Sequence, residues 1–519
     1  MTNRNIVKLL RMSLAAVLAG AISALAFAPW DWWLLAALGI AVLLALLHAS
    51  TTALRAAGMG WLFGVGHFCV SLSWIAKAFT FQSAMPPAMG WVAVAGLSMF
   101  LALYPALAAG AARLGAQRRA PMVLVLAASW MLAEWLRGWV LTGFAWNPLG
   151  AAWLPVADMA RLAALIGSLG LSGLMVLAGG AFWLQAPGTT RRERLAGTGI
   201  AGALLLAGLL APTAGPAKNA PARTPGPTLI VVQPNIGQDE KYDPAAADRH
   251  LRQYIDMSAR ALARLGPAVP GRGAIVIWPE GAVLDPMEPD EALRRRLATA
   301  LRPGDLLLTG GTGLVANTEG RLVAYANSLF AMDSMARLVG RYDKAHLVPL
   351  GEYVPARALM ARLGLARLVP GNYDFAAGPG PRTLGLPGFP ATGPMVCYEI
   401  IFPGAVVDPR NRPAWLANVS NDAWYGPTGP PQHLAQARLR AIEEGLPIVR
   451  STPTGVSGVI DAAGVVRATI GLGVAGTVTA ALPPPLPPTP FARSGHVLPG
   501  LLGLLLLSLG IAADRRKII

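Results

Sequence analysis

The chain has 519 residues, 54% of them apolar and only 13% charged, with a formal net charge of +16. Ordinary soluble domains run at about 45–50% apolar and about 25% charged, so a wholly soluble chain is excluded. Residues 220–481 hold 25 Lys/Arg and 22 Asp/Glu and contribute only +3, so the basic excess does not mark a nucleic-acid-binding face.

In chain order, apolar runs fill the first two hundred residues. A bilayer core about 30 Å thick takes about 20 apolar helical residues. By that measure spans are expected near 8–28, 33–50, 56–78, 88–110, 121–141, 160–186 and 195–212, with an eighth near 495–513. The first run is preceded by "NRNIVKLLR" and contains "ALA" at 24–26, which mimics a secretory signal. "FAPWDWW" follows at once, reads as a turn with interfacial aromatics, and leads into further spans, so the helix is expected to be retained. Basic residues alternate between the two sides of these spans. Arg4, Lys8, Arg11, Arg55, Arg113, Arg118, Arg119, Arg191, Arg192, Arg194, Arg515, Arg516 and Lys517 fall on one side, against Lys77, Arg137 and Arg161 on the other, thirteen to three. That places both termini in the cytoplasm and the segment between the seventh and eighth spans outside. The basic loop ends would also meet anionic headgroups.

After the Pro/Ala/Gly-rich stretch "TAGPAKNAPARTPGPT", the composition changes. Short apolar runs, "TLIVVQPNI", "GAIVIWPEG", "DLLLTGGTG", "SLFAMD", "GPMVCYEII", "AWLANVSND" and "PIVRSTPTGVSGVID", read as buried strands. Helical patterns in "AAADRHLRQYIDMSARALARL", "PDEALRRRLATALR" and "PPQHLAQARLRAIEEGLP" alternate with them, so this region is α/β. It closes at the stiff proline tract "LPPPLPPTP". The expected division is 1–212 for seven transmembrane helices, 213–227 for a linker and 228–481 for an extramembrane α/β domain. A Pro-rich linker then spans 482–494, and 495–519 holds the eighth helix and a cytoplasmic tail.

Three strand ends carry polar residues that core packing does not require: Glu280 in "VIWPEG", Lys344 with Glu352 in "GRYDKAHLVPLGEYVP", and Cys397 with Glu399 in "MVCYEIIFP". Each has a plainer reading, as a solvated strand-end carboxylate, a loop lysine or a small buried hydrophobe. Cys397 is the only cysteine in its half of the chain, and Cys69 lies in a membrane-type run, so the two are not expected to pair. An unpaired thiol in an exported domain needs a reason. Nucleophilic catalysis supplies one: a thiol near pKa 8.5 needs a base, for which Glu280 would serve, and the oxyanion needs a donor, for which Lys344 would serve. His346, two residues beyond Lys344, stays open as an alternative. If the strand persists through "VCYE", Cys397 and Glu399 share a face.

Glu in "WPE", Lys in "YDKAHLVPLGEYVP" and Cys in "CYE", in that order, resemble the Glu–Lys–Cys set of the nitrilase superfamily. With the preceding and closing spans, and with "FAPWDWW", "EWLRGWVLTGF", "NVSNDAWYG" and "QHLAQARLRAIEEGLPIVRST", nearly the full length resembles the bacterial apolipoprotein N-acyltransferase family. The resemblance implies a periplasmic α-β-β-α sandwich on a multi-pass inner-membrane protein. It implies transfer of a fatty acyl chain from a phospholipid, phosphatidylethanolamine being the expected donor. The acceptor is the α-amino group of a lipoprotein's N-terminal diacylglyceryl-cysteine. Cys397 would be the nucleophile carrying a thioester, Glu280 the general base and Lys344 the oxyanion stabiliser. Glu352, Glu399, Tyr398, Tyr242 and Trp424 would lie around the pocket. Tyr242 stands where the family commonly has Trp, "GFAWNP" where "GFPW" is usual, and "STPTGVSG" where Asn usually precedes the final Gly. None of these departures touches the three proposed catalytic residues.

The segment 356–375, with Arg357, Arg362 and Arg367 among Leu and Met, reads either as an amphipathic arm gating lipid entry or as a surface helix. Glu134 and Arg137, at i and i+3, read either as a functional pair or as a structural one. No cofactor is expected, no metal-ligand cluster appears, and a monomer is expected because no coiled-coil pattern demands a partner. The competing readings are a membrane-tethered nitrilase-type amidase, for which one anchor would suffice, and a transporter or lipid-binding protein without catalysis.

Overall fold

The computed structural model describes residues 3–81, 86–211, 226–268, 271, 273–362 and 374–515. The chain divides into two units, one formed by residues 1–76, 88–213 and 488–519, the other by 77–87 and 214–487.

The first unit is helical. Among the described residues, five helices are long and apolar enough to cross a membrane: Asn5–Ala26, Met89–Gly115, Arg119–Arg137, Ala163–Trp183 and Val497–Arg515. Ala53–Ser71 with Ser73–Phe81, bent by 50° at a short break, makes a sixth if the pair is one span. The expected count of eight is therefore not reached on length and composition. Leu34–Ala49 is apolar but has 16 residues, about 24 Å of helix against a core of about 30 Å. Arg191–Leu209 opens on a charged turn, Arg191, Arg192, Glu193 and Arg194, with Thr190 and Glu193 forming a reciprocal cap.

A polar knot in the interior of this unit places Glu134 and Arg137. Glu134 accepts from Trp130 Nε1 at 3.0 Å, Leu149 N at 2.8 Å and Ser172 Oγ at 2.5 Å. Arg137 donates to the carbonyls of Phe144 (3.1 Å) and Trp146 (2.7 Å), and its guanidinium lies 3.9 Å from Glu134. Both side chains are buried. The pair fastens the irregular loop after Arg137 to two helices, so each charge is matched by donors or acceptors that would otherwise be buried unpaired.

The second unit is built on two six-stranded sheets. Its strands are β1 (Thr228–Gln233), β2 (Ala274–Ile277), β3 (Leu306–Ala316), β4 (Leu322–Asp333), β5 (Leu338–Asp343), β6 (Leu384–Leu386), β7 (Phe389–Val396), β8 (Trp415–Val419), β9 (Ile448–Ser451), β10 (Ser457–Ile460), β11 (Val466–Ile470) and β12 (Gly476–Ala481). One sheet runs β12-β1-β2-β3-β4-β5 and the other β11-β10-β9-β8-β7-β6. Alternation along each strand decides which face its side chains take. Leu229 and Val231 of β1 join Ile275 and Ile277 of β2 in a core shared with Val396, Trp415, Ala417, Val419 and Val449 of the other sheet. The intervening Ile230, Val232 and Val276 point the opposite way, onto Tyr254, Ala261, Leu262 and Leu297 of helices Ala247–Ala263 and Glu291–Ala298. Helix Gly429–Glu444 packs on β9 and β10. The unit is layered helix, sheet, sheet, helix.

The strand expected through "VCYE" stops at Val396. Cys397 has φ +52°, and residues Cys397–Ile401 form a 3-10 turn. A strand cannot continue through that conformation, so the expected shared face of Cys397 and Glu399 does not exist. Residues 363–373, most of the expected arm, lie outside the described residues; its first part is a short helix, Arg357–Arg362, with Arg357 paired to Asp374.

Candidate active site

Parallel strands β1, β2 and β3 in one sheet, and β7, β8 and β9 in the other, bring their carboxyl ends to common edges, where α/β sheets place ligands. Glu280 follows the end of β2, Lys344 the end of β5 and Cys397 the end of β7. Each expected residue thus sits where an ordered strand hands over to a loop.

Two glycines let the Glu280 turn form. Gly281 has φ +58°, and Gly310 of β3 passes so close that a Cβ there would lie 2.5 Å from the Glu280 Cα. The Glu280 carboxylate accepts from Asn327 Nδ2 at 2.6 Å through Oε1 and from the Asn421 backbone N–H at 2.6 Å through Oε2. Lys344 is 1% exposed, with Nζ 2.9 Å from Glu352 Oε2 and 3.7 Å from Glu280 Oε1. Burial alone would lower its pKa, but the carboxylates of Glu352 and Glu280 outweigh this and hold it above the usual lysine value. Asn327 also donates to Glu352 at 2.7 Å, so one amide bridges both carboxylates.

The Cys397 thiol is buried. Burial and then the Glu280 charge push it up to about 12, against the opposing pull of Lys344. It is therefore a thiol rather than a thiolate at rest. A non-glycine residue at positive φ is a strained position that its surroundings must hold. Glu399 does part of that work. Its Oε2 accepts from Val396 N at 2.7 Å, and its Oε1 accepts from Tyr342 Oη and Ala345 N, both at 2.7 Å, and from His346 N at 3.2 Å. One carboxylate thus ties the cysteine turn to the loop that carries Lys344. Burial still raises its pKa above the ordinary carboxylate value.

The other expected residues flank these groups with differing exposure. Tyr398 is buried against His346 and Phe402, with ring centroids 5.6 and 5.1 Å away. His346 stacks on Phe402 at 3.9 Å, which gives its ring an aromatic packing partner. Tyr242 is 43% exposed. Trp424 Nε1 lies 3.0 Å from the Asn421 side-chain amide, as Lys241 Nζ does at 3.2 Å, and two donors turn its oxygen toward them.

The site holds further residues that the sequence does not single out one by one. Lys241 is buried, donates from Nζ to the Glu280 carbonyl at 3.0 Å, and is lowered to about 8 by burial. Tyr425 Oη lies 3.5 Å from Cys397 Sγ. Beneath the cysteine, His433 Nε2 is 3.2 Å from the Cys397 carbonyl oxygen, and Nδ1 is 3.1 Å from Asp422 Oδ1. Arg450 donates to Asp422 Oδ2 at 2.6 Å and to Asn418, and Ser420 donates to Asp422 at 2.7 Å. Burial raises the Asp422 pKa, but Arg450 and His433 outweigh it and hold the carboxyl well below the usual range. All but Lys241 lie in "NVSNDAWYG" and "QHLAQARLRAIEEGLPIVRST", two of the stretches that carry the resemblance, which point to the segments without assigning a role to each residue. Among the described residues, no group of three or more His, Cys, Asp or Glu is arranged to hold a metal ion.

The arrangement offers a buried thiol, a carboxylate beside a fixed cation, and that cation locked by a second carboxylate. These are the parts of nucleophilic acyl transfer.

Comparison with known proteins extends this over the rest of the chain. The apolipoprotein N-acyltransferase N-terminal domain family matches residues 19–181, and the carbon-nitrogen hydrolase family matches residues 231–486. Apolipoprotein N-acyltransferases from Rhodopseudomonas palustris, Bradyrhizobium diazoefficiens and Caulobacter vibrioides are 35%, 37% and 39% identical. These alignments cover 97%, 98% and 97% of this chain and 96%, 95% and 94% of the relatives. Among solved structures, a variant of a nitrilase-superfamily amidase from Nesterenkonia AN1 covers 50% of this chain and 92% of its own, at 19% identity and TM-score 0.35. With relatives aligned from end to end, the chain belongs to the apolipoprotein N-acyltransferase family, acyltransferases built on a carbon–nitrogen hydrolase domain.

Proposed function

We propose that this chain moves a fatty acyl group from a phospholipid to the α-amino group of a lipoprotein's N-terminal diacylglyceryl-cysteine, through a thioester on Cys397. The observation that carries the mechanism is the placement of Lys344 Nζ between Glu352 (2.9 Å) and Glu280 (3.7 Å), within electrostatic reach of the Cys397 thiol.

In the first half, Glu280 takes the Sγ proton as sulfur attacks the ester carbonyl, and returns it to the departing lysophospholipid oxygen. In the second half, the amine attacks the thioester carbonyl and passes its proton to Glu280, the C–S bond breaks, and the proton returns to sulfur. Because the resting thiol is protonated, the base is needed in the first step. Lys344 keeps its proton, so it acts as a fixed cation beside the oxyanion rather than as an acid. Glu352 holds that cation in place, and Glu399 holds the cysteine turn against it. Tyr398, Tyr242 and Trp424 complete the surroundings of the substrate.

The chain is a multi-pass membrane protein. Its finer topology, in this reading, has eight crossings, with Leu34–Ala49 and Arg191–Leu209 as the two marginal ones. Both termini are cytoplasmic and the catalytic domain, 228–481, is periplasmic between linkers 213–227 and 482–494. The thirteen-to-three split of basic residues supports this, since omitting one crossing would reverse the side of every basic cluster after it. Phosphatidylethanolamine is the donor in this reading, and the enzyme acts as a monomer.

The test is a peptide mass spectrum of detergent-purified protein incubated with phosphatidylethanolamine. A hydroxylamine-labile acyl adduct on Cys397, discharged by a diacylglyceryl-cysteine peptide, is the expected result. Discharge by water alone would make the chain a hydrolase, and no adduct would remove the thioester.

A further inference from the structure

The acyl transfer proposed above needs the Cys397 sulfur twice, first as a nucleophile and then as a leaving group. The charges around it suit the first role better than the second. Burial raises the thiol pKa most, and Glu280 and Asp422 raise it further, against the pull of Lys344 and the nearby Ser420. A thiolate expelled into that setting is costly unless a neutral donor meets it. The phenol of Tyr425, at 3.5 Å, is placed to do so.

We propose that Tyr425 is a catalytic residue, whose phenol donates a hydrogen bond to the Cys397 sulfur and holds it as a thiolate when the thioester breaks. Two features fix the phenol there. Tyr425 N donates to the Asp422 carbonyl at 3.0 Å, which sets the backbone directly after the Asp422–Trp424 turn. The Tyr425 ring meets His433 edge-on at 5.7 Å, and His433 is itself held by Asp422 and Arg450. Ring packing alone would be met by phenylalanine; the oxygen at the sulfur is the added feature. Burial, and then the neighbouring Cys397 and Asp422, raise the phenol well above its ordinary pKa, so it keeps its proton and acts as a donor only.

The step balances without a further reagent. The amine nitrogen bonds to the acyl carbon, the C–S electron pair moves to sulfur, and the amine proton goes to Glu280 and then to sulfur. Tyr425 retains its own proton throughout. A thioester sulfur is a poor acceptor, so the bond is strongest when the acyl group is absent. The groups that face the sulfur electrostatically are Glu280, Lys344, Lys241, Asp422, Ser420 and Tyr425, and only Tyr425 changes in the test.

The test compares the full-length parent with Tyr425→Phe in detergent. It reads iodoacetamide labelling of Cys397 at pH 9 and the steady-state acyl-enzyme fraction with phosphatidylethanolamine and a diacylglyceryl-cysteine peptide. Losing the donor raises the thiol pKa, and a rise of one unit slows labelling about threefold, because higher nucleophilicity offsets part of the lost thiolate. Expulsion of sulfur slows as well, so the acyl-enzyme fraction rises. Replacing Tyr425 by 4-aminophenylalanine, which keeps an N–H donor, restores labelling toward the parent rate and decides the matter if Tyr425→Phe unfolds. Unchanged labelling with an unchanged acyl-enzyme fraction overturns the proposal. A parent that forms no acyl adduct overturns the thioester itself, which the labelling rate does not measure.

Discussion

His433 Nε2 and the carbonyl oxygen of Cys397 lie 3.2 Å apart, so a buried ring holds the backbone of the strained cysteine from below. The same helix, Gly429–Glu444, reaches the far end of the turn through Arg440 Nη1, 3.1 Å from the Ile401 carbonyl. One rigid element thus grips both ends of the 3-10 turn that presents the thiol. A positive φ at a non-glycine residue costs on the order of 1 kcal/mol or more and persists only when it is held in this way.

Replacing His433 by Ala leaves that carbonyl buried without the ring, at a cost of about 1–3 kcal/mol. The expected result is a lower unfolding midpoint in detergent and at least a tenfold loss of acyl transfer. His433→Gln, which can still donate from its amide, recovers part of both. Full activity in His433→Ala would show that Glu399 and its donors hold the turn without the ring.

The thiol of Cys397 gives a pH-dependent prediction in which reactivity and catalysis separate. Burial and the Glu280 charge raise it to about 12, so neutralising Glu280 removes a raising contribution and the pKa falls. Glu280→Gln therefore labels faster with iodoacetamide at pH 8, while acyl transfer drops by about 10²–10⁴-fold with the base gone. Lys344→Met removes a lowering charge, so its thiol labels more slowly, and transfer falls by about 10²–10³-fold. Equal labelling of all three proteins would mean that neither charge acts on the sulfur.

Much of this site was legible because strand ends are punctuated by sequence. "VIWPEG", "YDKAH" and "VCYE" each put a chemically active residue where an apolar run stops, and the structure places Glu280, Lys344 and Cys397 there. What escaped is what depends on long-range assembly. Asn327 lies inside β4 and meets Glu280 across 47 positions, and the Asn421 N–H that meets the same carboxylate is 141 positions away. His433 sits in a pattern that reads as an ordinary amphipathic helix, and its orientation toward Cys397 exists only once that helix packs. The turn at Cys397 was missed because nothing in "MVCYE" favours positive φ; the four donors on Glu399 impose it. Among the helices, apolarity alone marks both Leu34–Ala49 and Arg191–Leu209, whose short length and charged first turn show only in the folded element.

The Glu134–Arg137 knot predicts a graded loss of stability. Glu134 accepts three hydrogen bonds and Arg137 donates two to carbonyls of the following loop. Removing one member of a buried charge pair leaves the other uncompensated, at about 3–5 kcal/mol. Glu134→Ala and Arg137→Ala should each lower the detergent unfolding midpoint sharply, and Glu134→Gln, which keeps an acceptor, should do so less. A Glu134→Ala protein as stable as the parent would mean that the loop is fixed by other contacts.

The helix that grips the cysteine turn ends on a carboxylate that titrates near neutrality. Burial, and then the adjacent Glu443, raise Glu444 to about 7, while Arg412 at 3.6 Å opposes the rise. Unfolded, the group titrates near 4.3. Between those values the folded protein binds more protons than the unfolded chain, so stability falls as pH rises through the window and the full penalty applies above pH 7. The shift corresponds to an upper limit of about 4 kcal/mol. Glu444→Gln cannot ionise and escapes this penalty. Unfolding midpoints of parent and variant, measured in one detergent from pH 4.5 to pH 8, should therefore diverge, with the variant gaining on the parent as pH rises. The comparison is made as a difference because other groups titrate equally in both proteins. Curves that stay parallel would show that Glu444 remains ionised in the fold throughout, with Arg412 and its other partners matching the charge.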